Sequence, residues 1–138
     1  VPECKQFAED WQRYSLRHVL SRYGPPSRAR IVLGPSFEAG APIYYDLYVL
    51  YDDLGISIAY MGSAVERGEV FHTCFSFRYI RLWLQSPDSS LPLLEQGVSP
   101  EAWDFAIPLE EATGISLEAF YETFRHPGAC LEAPPTFP

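Results

Sequence analysis

From Tyr44 to Gly62 the chain reads YYDLYVLYDDLGISIAYMG, two alternating runs joined by an acidic pair and a glycine. Successive side chains of an extended strand point to opposite faces. Ile43, Tyr45, Leu47, Val49 and Tyr51 therefore share one face, and Tyr44, Asp46, Tyr48, Leu50 and Asp52 share the other. Ile56, Ile58 and Tyr60 resume the period after the break. The short DDLG segment fits a tight turn in which Gly55 takes a positive φ that other residues avoid. Strands this close in sequence pair antiparallel. An antiparallel hairpin with one apolar face needs more strands or helices against it, and the rest of the chain must supply them.

N-terminal to this hairpin, Phe7, Trp11 and Tyr14 share a helical face, and Leu16, Val19, Leu20 and Tyr23 share another, turned half a revolution away. Two helices with a break at Ser15 resolve the conflict. Ser15 is a good N-cap, and Gly24 followed by Pro25-Pro26 is a strong stop. RARIVLGP is a strand. VFHTCFSF reads as extended, and RYIRLWLQ alternates Ile80, Leu82 and Leu84 against Tyr79, Arg81 and Trp83. Ser99-Pro100-Glu101 is a helix start, PLEEATG a helical turn closing at Gly114, and Ser116 the cap of LEAFYETF. The tail APPTFP reads as extended. The expectation is a single α+β domain over residues 1–138. It has a four- to five-stranded antiparallel sheet packed by two N-terminal helices, with short C-terminal helices.

The chain has 138 residues and a net charge of −8. An acidic chain repels phosphate backbones and anionic lipid, so nucleic acid is not an expected partner. No apolar run approaches the ~18 residues of a membrane span. VPECKQF has no basic flank followed by an apolar run and is not read as a signal peptide. The three cysteines form no CxxC. Either all are free thiols in a reducing compartment, or two form a disulfide in an oxidising one. The second reading is favoured, with Cys74 joined to Cys130. Cys74 lies in an expected strand, and Cys130 lies in a Pro/Gly-rich tail that frays unless tied down. Cys4 as a lipid attachment site fits poorly with Pro2-Glu3 before it. The expected location is extracytoplasmic.

Motifs for catalysis are lacking. The sequence holds no GxSxG, P-loop or GxGxxG. Neither a histidine pair at metal-ligand spacing nor an EF-hand pattern occurs, so no metal and no cofactor is expected. His18, His72 and His126 read as ordinary hydrogen-bonded or exposed histidines. A Cys74–His72 nucleophilic pair shares a strand face but has no visible orienting group or oxyanion hole. Adjacent carboxylates such as Asp52-Asp53 point to opposite strand faces and make poor acid–base pairs; a turn at the hairpin tip accounts for them. The chain is read as a non-enzyme. Tyr44, Tyr48, Tyr79 and Trp83 fall on the faces opposite the apolar stripes. Aromatic anchors are enriched at protein interfaces, so these four are the expected binding face for a protein partner. The alternatives are coverage by the terminal helices, and a small-ligand module with a pocket between sheet and helices.

The residues YSLRHVLSRYGPPSRARIVL and YYDLYVLYDDLGISIAYMG carry a pattern that resembles the small extracytoplasmic proteins of the SmpA/OmlA (BamE-like) type. It is also similar to the helix-helix-sheet modules of β-lactamase-inhibitor proteins. The similarity spans roughly residues 7 to 62 and rests on Ser15, Gly24, Pro25 and Gly55. It implies two short helices on one face of an antiparallel sheet, and protein binding rather than catalysis. All four residues serve the fold, so no site carries over. The strand ending in LWL and the segment SLEAFYETFRHPGAC also resemble uncharacterised bacterial secreted proteins, which implies a compartment but no activity.

Overall fold

The computed structural model describes residues 11–33, 42–67, 70–75, 77–93 and 106–133. In chain order these form α1 (Leu16–Tyr23), β1 (Arg28–Leu33), β2 (Ile43–Tyr51), a 3-10 turn (Asp52–Leu54), β3 (Ile56–Arg67), β4 (Val70–Thr73) and β5 (Phe77–Leu84). They are followed by β6 (Ile107–Pro108), α2 (Leu109–Thr113), α3 (Leu117–Phe124) and β7 (Leu131–Ala133).

The β2–β3 hairpin is the centre of the sheet, in register from Ile43↔Ala64 to Tyr51↔Ile56. Gly55 closes its turn at φ +64, where a Cβ would stand 1.9 Å from the carbonyl oxygen of Gln85. Both the backbone conformation and the contact require glycine. Asp52 is held by the guanidinium of Arg28, whose Nε donates to Oδ2 at 2.8 Å and whose Nη2 donates to Oδ1. The acidic pair thus has a local structural partner on β1.

β3 is long enough to take two neighbours on its far side. Its first half pairs with β5, from Ile56↔Leu84 to Gly62↔Phe77, with a register shift at Met61/Gly62. Its last residues, Val65 to Arg67, pair with β4. β7 then adds to β4, and β6 adds to β1. All the pairs among the described residues are antiparallel, and the seven described strands form one curled, half-barrel sheet.

This corrects the expected four- to five-stranded sheet under two N-terminal helices. Among the described residues there are three helices, one N-terminal and two C-terminal. The two additional strands, β6 and β7, are two and three residues long. Segments so short show no alternation, and only their partners make them strands. The run VFHTCFSF is also two strands rather than one, because Phe75 turns the chain at φ +48. Of the expected helix at Phe7 only the end is described, helical at residues 11–12 and turning before Ser15; the expected helix at Ser99 lies outside the described residues.

The inner face of the sheet carries Ala29 and Ile31 of β1, Tyr45, Leu47, Val49 and Tyr51 of β2, and Ile58 and Tyr60 of β3. Leu16, Val19 and Leu20 of α1, Leu109 and Ala112 of α2, and Phe120 and Phe124 of α3 join the same core cluster. Ser15 caps α1 by accepting from the His18 amide at 3.4 Å, and Ser116 caps α3 by accepting from Ala119 at 3.2 Å. Phe75 is buried, with its ring 4.7 Å from Phe124 and 5.8 Å from Tyr45. Its positive φ is costly for a non-glycine residue, and this aromatic packing offsets the cost.

The large tyrosines of the core keep their hydroxyls satisfied. Tyr51 donates to the Gly24 carbonyl at 2.8 Å, Tyr60 to the Tyr14 carbonyl at 2.9 Å, and Tyr45 shares a bond with Thr73 Oγ1 at 2.8 Å. Burial raises all three phenols, Tyr45 to about 12 against an ordinary 10.0, its Thr73 bond opposing the shift. The sign follows from linkage: a phenol raised in the fold contributes full stability below pH 10, where it is neutral in both states. That contribution is lost as pH rises toward the folded-state value. Unfolding free energy measured by urea titration is therefore expected to fall steeply between about pH 10 and pH 12. A flat profile across that window would contradict the burial of these three hydroxyls.

Candidate functional site

Strand β5 forms an edge of the sheet among the described residues. Among the described residues it pairs with β3 alone. An unpaired strand edge presents a row of backbone donors and acceptors and is a template for another strand. β5 also exposes side chains on both faces. On the outer face stand Tyr79, Arg81 and Trp83; on the inner face, Leu82 and Leu84 extend beyond the cover of α1, and Leu84 is 72% exposed.

The outer row is organised by one cation. The Arg81 guanidinium carbon lies 5.3 Å from the Tyr79 ring centroid and 5.7 Å from that of Trp83, within the reach of cation–π attraction. The register sets Arg81 beside Ala59, which in turn lies beside Tyr48. Asp46 lies one row away, opposite Met61. Burial pushes the Asp46 carboxyl up from 3.8, and the charge of Arg81 opposes that shift without cancelling it. Burial likewise raises the Tyr48 phenol, helped by Asp46.

The four aromatic residues expected to form a binding face are distributed unequally. Tyr44 is 48% and Tyr79 51% exposed, and Trp83 is half-buried. Tyr48 is only 4% exposed, packed in a second small core with Leu50, Ala59 and Leu93. The segment after β5 folds back to supply Leu93, which no periodicity in the sequence announces. The strand also carries residues that pattern reading left out of the site. Leu82 and Leu84 share the apolar stripe of Ile80, and alternation reports which face a residue is on and not how far the cover extends.

On the inner side of the edge, a groove of about 490 Å³ runs between α1 and the sheet. Its lining includes Tyr14, Tyr23, Leu82 and Leu84, with Arg13 and Arg22 beside them. This is a locally basic strip on a chain of net charge −8. A second groove of about 530 Å³ lies between residues 11–17 and the end of α3, with Phe75, Phe77, Ile80, His126 and Cys74 in its walls.

Cys74 and Cys130 are joined by a disulfide, across a sequence separation of 56. Their neighbours two residues away are also cross-strand partners, because β4 and β7 pair with His72 opposite Glu132. His72 Nε2 lies 3.4 Å from Cys74 Sγ, and Nδ1 lies 3.4 Å from Glu132 Oε1. The Glu132 carboxylate therefore stands beside His72 without a formed hydrogen bond to its buried Nδ1. The sequence signal for this neighbour is the mirror-image spacing of His72-Thr73-Cys74 and Cys130-Leu131-Glu132. Once the cysteines are paired antiparallel, the histidine and glutamate must face each other. Cys4 lies outside the described residues.

Comparison of the chain with protein-family models, with curated proteins and with solved structures finds no match.

Three measurements test this geometry. Reduction of the bridge, or Cys130→Ser, is expected to lower unfolding free energy by about 4 kcal/mol, from the loop-entropy relation for a loop of this length. Non-reducing peptide mapping should recover the Cys74–Cys130 peptide, and a Cys4-containing crosslink would contradict the pairing. Asp46→Asn is expected to stabilise the fold at pH 7, because a carboxyl raised in the fold is ionised there at a cost. The advantage should vanish on acidification below the ordinary carboxylate value of 3.8. A destabilised variant at pH 7 would mean that the Arg81 attraction outweighs burial.

Proposed function

We propose that the chain is a non-catalytic, extracytoplasmic binding domain that takes an extended segment of a protein partner along the edge of β5. The observation that carries this reading is the state of β5: a strand of eight residues with one neighbour among those described and exposed apolar side chains on both faces. In strand addition, main-chain hydrogen bonds supply affinity and alternate side chains of the incoming segment supply specificity.

The chemistry of the two faces defines the segment. Side chains toward the outer face meet Tyr79, Arg81 and Trp83, together with Tyr44 further along the sheet. Those toward the inner face meet Leu82 and Leu84, with Arg13 and Arg22 across the groove. A segment alternating apolar and acidic residues is complementary to both. The Cys74–Cys130 bridge supports an oxidising compartment, and no helix among the described residues is long and apolar enough to cross a membrane. The resemblance of residues 7 to 62 to SmpA/OmlA-type and inhibitor-type modules also implies protein binding.

A second reading, a small-ligand module, is favoured by the groove of about 530 Å³ between sheet and helices. The two readings separate by which surface a ligand protects. Selection of linear peptides from a random displayed library, followed by fluorescence polarisation with the selected peptide, is expected to yield acidic, apolar-alternating sequences. Arg81→Glu and Leu84→Lys should each weaken them at least tenfold, about 1.4 kcal/mol. Peptides that bind these variants as well as the parent, or that are displaced by changes at Phe77 and Ile80 alone, would reject the β5 edge.

A further inference from the structure

We propose that reduction of the Cys74–Cys130 bridge converts the β4–β7 ladder into a zinc site. His72 Nε2, Cys74 Sγ and Cys130 Sγ would be its ligands, and Glu132 the acceptor that orients the imidazole. The proposal rests on the register. β4 and β7 place His72 opposite Glu132, and the bonded cysteines follow one period further along the same face. Cys74 directly follows β4 and Cys130 directly precedes β7, so His72 and Cys74 at i and i+2, with Cys130 across from them, form a three-point base. The ligand atoms of His72, Cys74 and Cys130 already lie within 4.8 Å of one another.

The distances fit the metal. With Zn–S of about 2.3 Å and Zn–N of about 2.0 Å, tetrahedral sulfur and nitrogen ligands stand about 3.5 Å apart. His72 Nε2 is 3.4 Å from Cys74 Sγ. Once the bridge opens, the two sulfurs need to separate only to about 3.8 Å on the same geometry. His72 is also oriented correctly. Its two ring nitrogens face opposite groups, Nε2 toward sulfur and Nδ1 toward the Glu132 carboxylate at 3.4 Å. A metal-bound histidine characteristically donates its other N–H to a carboxylate. In the bridged state Nδ1 is buried without a well-formed hydrogen bond. A shift of a few tenths of an ångström on metal binding would complete it. Two thiolates and a neutral imidazole around Zn²⁺ make a neutral centre, with water in the fourth position.

The chemistry balances with one named co-reactant. A dithiol reductant gives two electrons and two protons to the Cys74–Cys130 bond and closes to its own disulfide, leaving two thiols. Zn²⁺ then displaces the two thiol protons to solvent. The bridge and the metal are therefore mutually exclusive states of one pair of sulfurs. Because the metal restores a link between β4 and β7, it also replaces part of the stability that reduction removes.

The test uses the full chain carrying Cys4→Ser, so that only the two bridge sulfurs can report. Co²⁺ is the optical probe and Zn²⁺ the competitor. With the bridge intact, Co²⁺ is expected to give no thiolate-to-cobalt charge-transfer absorption. The bridge is then reduced under argon with a water-soluble phosphine, which takes its oxygen from water as it is oxidised. One equivalent of Co²⁺ should now give that absorption with tetrahedral visible bands, and Zn²⁺ should abolish both. His72→Ala should weaken zinc binding at least tenfold. Glu132→Gln should weaken it by about 10- to 100-fold while retaining the charge-transfer band, as an orienting partner and not a ligand does. Circular dichroism follows the fold throughout. If the reduced chain loses structure, stoichiometric Zn²⁺ should restore it. Reduced protein that neither binds one equivalent nor recovers its fold with Zn²⁺ would overturn the proposal. So would binding that is unchanged in His72→Ala.

Discussion

The hydroxyl of Tyr45 holds the two halves of this sheet together. Its ring lies over Gly62, where a Cβ would stand 2.5 Å from the phenolic oxygen, and that oxygen bonds Thr73 at 2.8 Å. Thr73 in turn donates to the Ser63 carbonyl at 3.3 Å. Tyr45 therefore joins β2 to the end of β4 across β3, at the point where β3 changes partner from β5 to β4. Glycine at position 62 permits the ring to pass, and the register shift between Met61 and Gly62 coincides with that passage. An edge divided in this way lets the sheet curl, and the curl gives α1 and α3 a common face to cover.

From that arrangement the two surfaces of interest follow. β5 takes the first half of the far edge of β3 and is left with its own far edge free among the described residues. β4 takes the second half and has room for β7, which brings Cys130 and Glu132 to Cys74 and His72. The pairing of β7 is short, and the bridge is its covalent counterpart. Phe75, next to Cys74, anchors the other side of the same corner in the aromatic core. Stability and chemistry meet at this corner. The side chains that tie the C-terminal strand to the sheet are also the polar and sulfur groups of the proposed zinc site.

Much of this was open to reading in the chain itself. Alternation in Ile43 to Tyr60 identified the central hairpin and its buried stripe, because a period of two follows from the pleat of one strand and needs no partner. Ser15, Gly24, Gly55 and Ser116 marked caps and turns for the same local reason. Of the expected binding face, Tyr44 and Tyr79 stand exposed, Trp83 half so, and Tyr48 is covered by a segment that returns from forty-odd residues further on. Periodicity assigns a side chain to a face; it carries no information about what arrives later to cover that face.

What the sequence by itself determined is therefore local: the hairpin, the helix ends, the apolar stripe and the availability of two cysteines for a bridge. Tertiary structure alone decided the number of strands, since β6 and β7 are strands only because β1 and β4 accept their hydrogen bonds. It also decided that β5 is an edge among the described residues, that Leu82 and Leu84 lie outside the cover of α1, and that His72 faces Glu132. Each of these depends on which backbone groups pair across long stretches of chain. That choice is made by the summed burial and hydrogen bonding of the whole sheet, and no window of residues contains it.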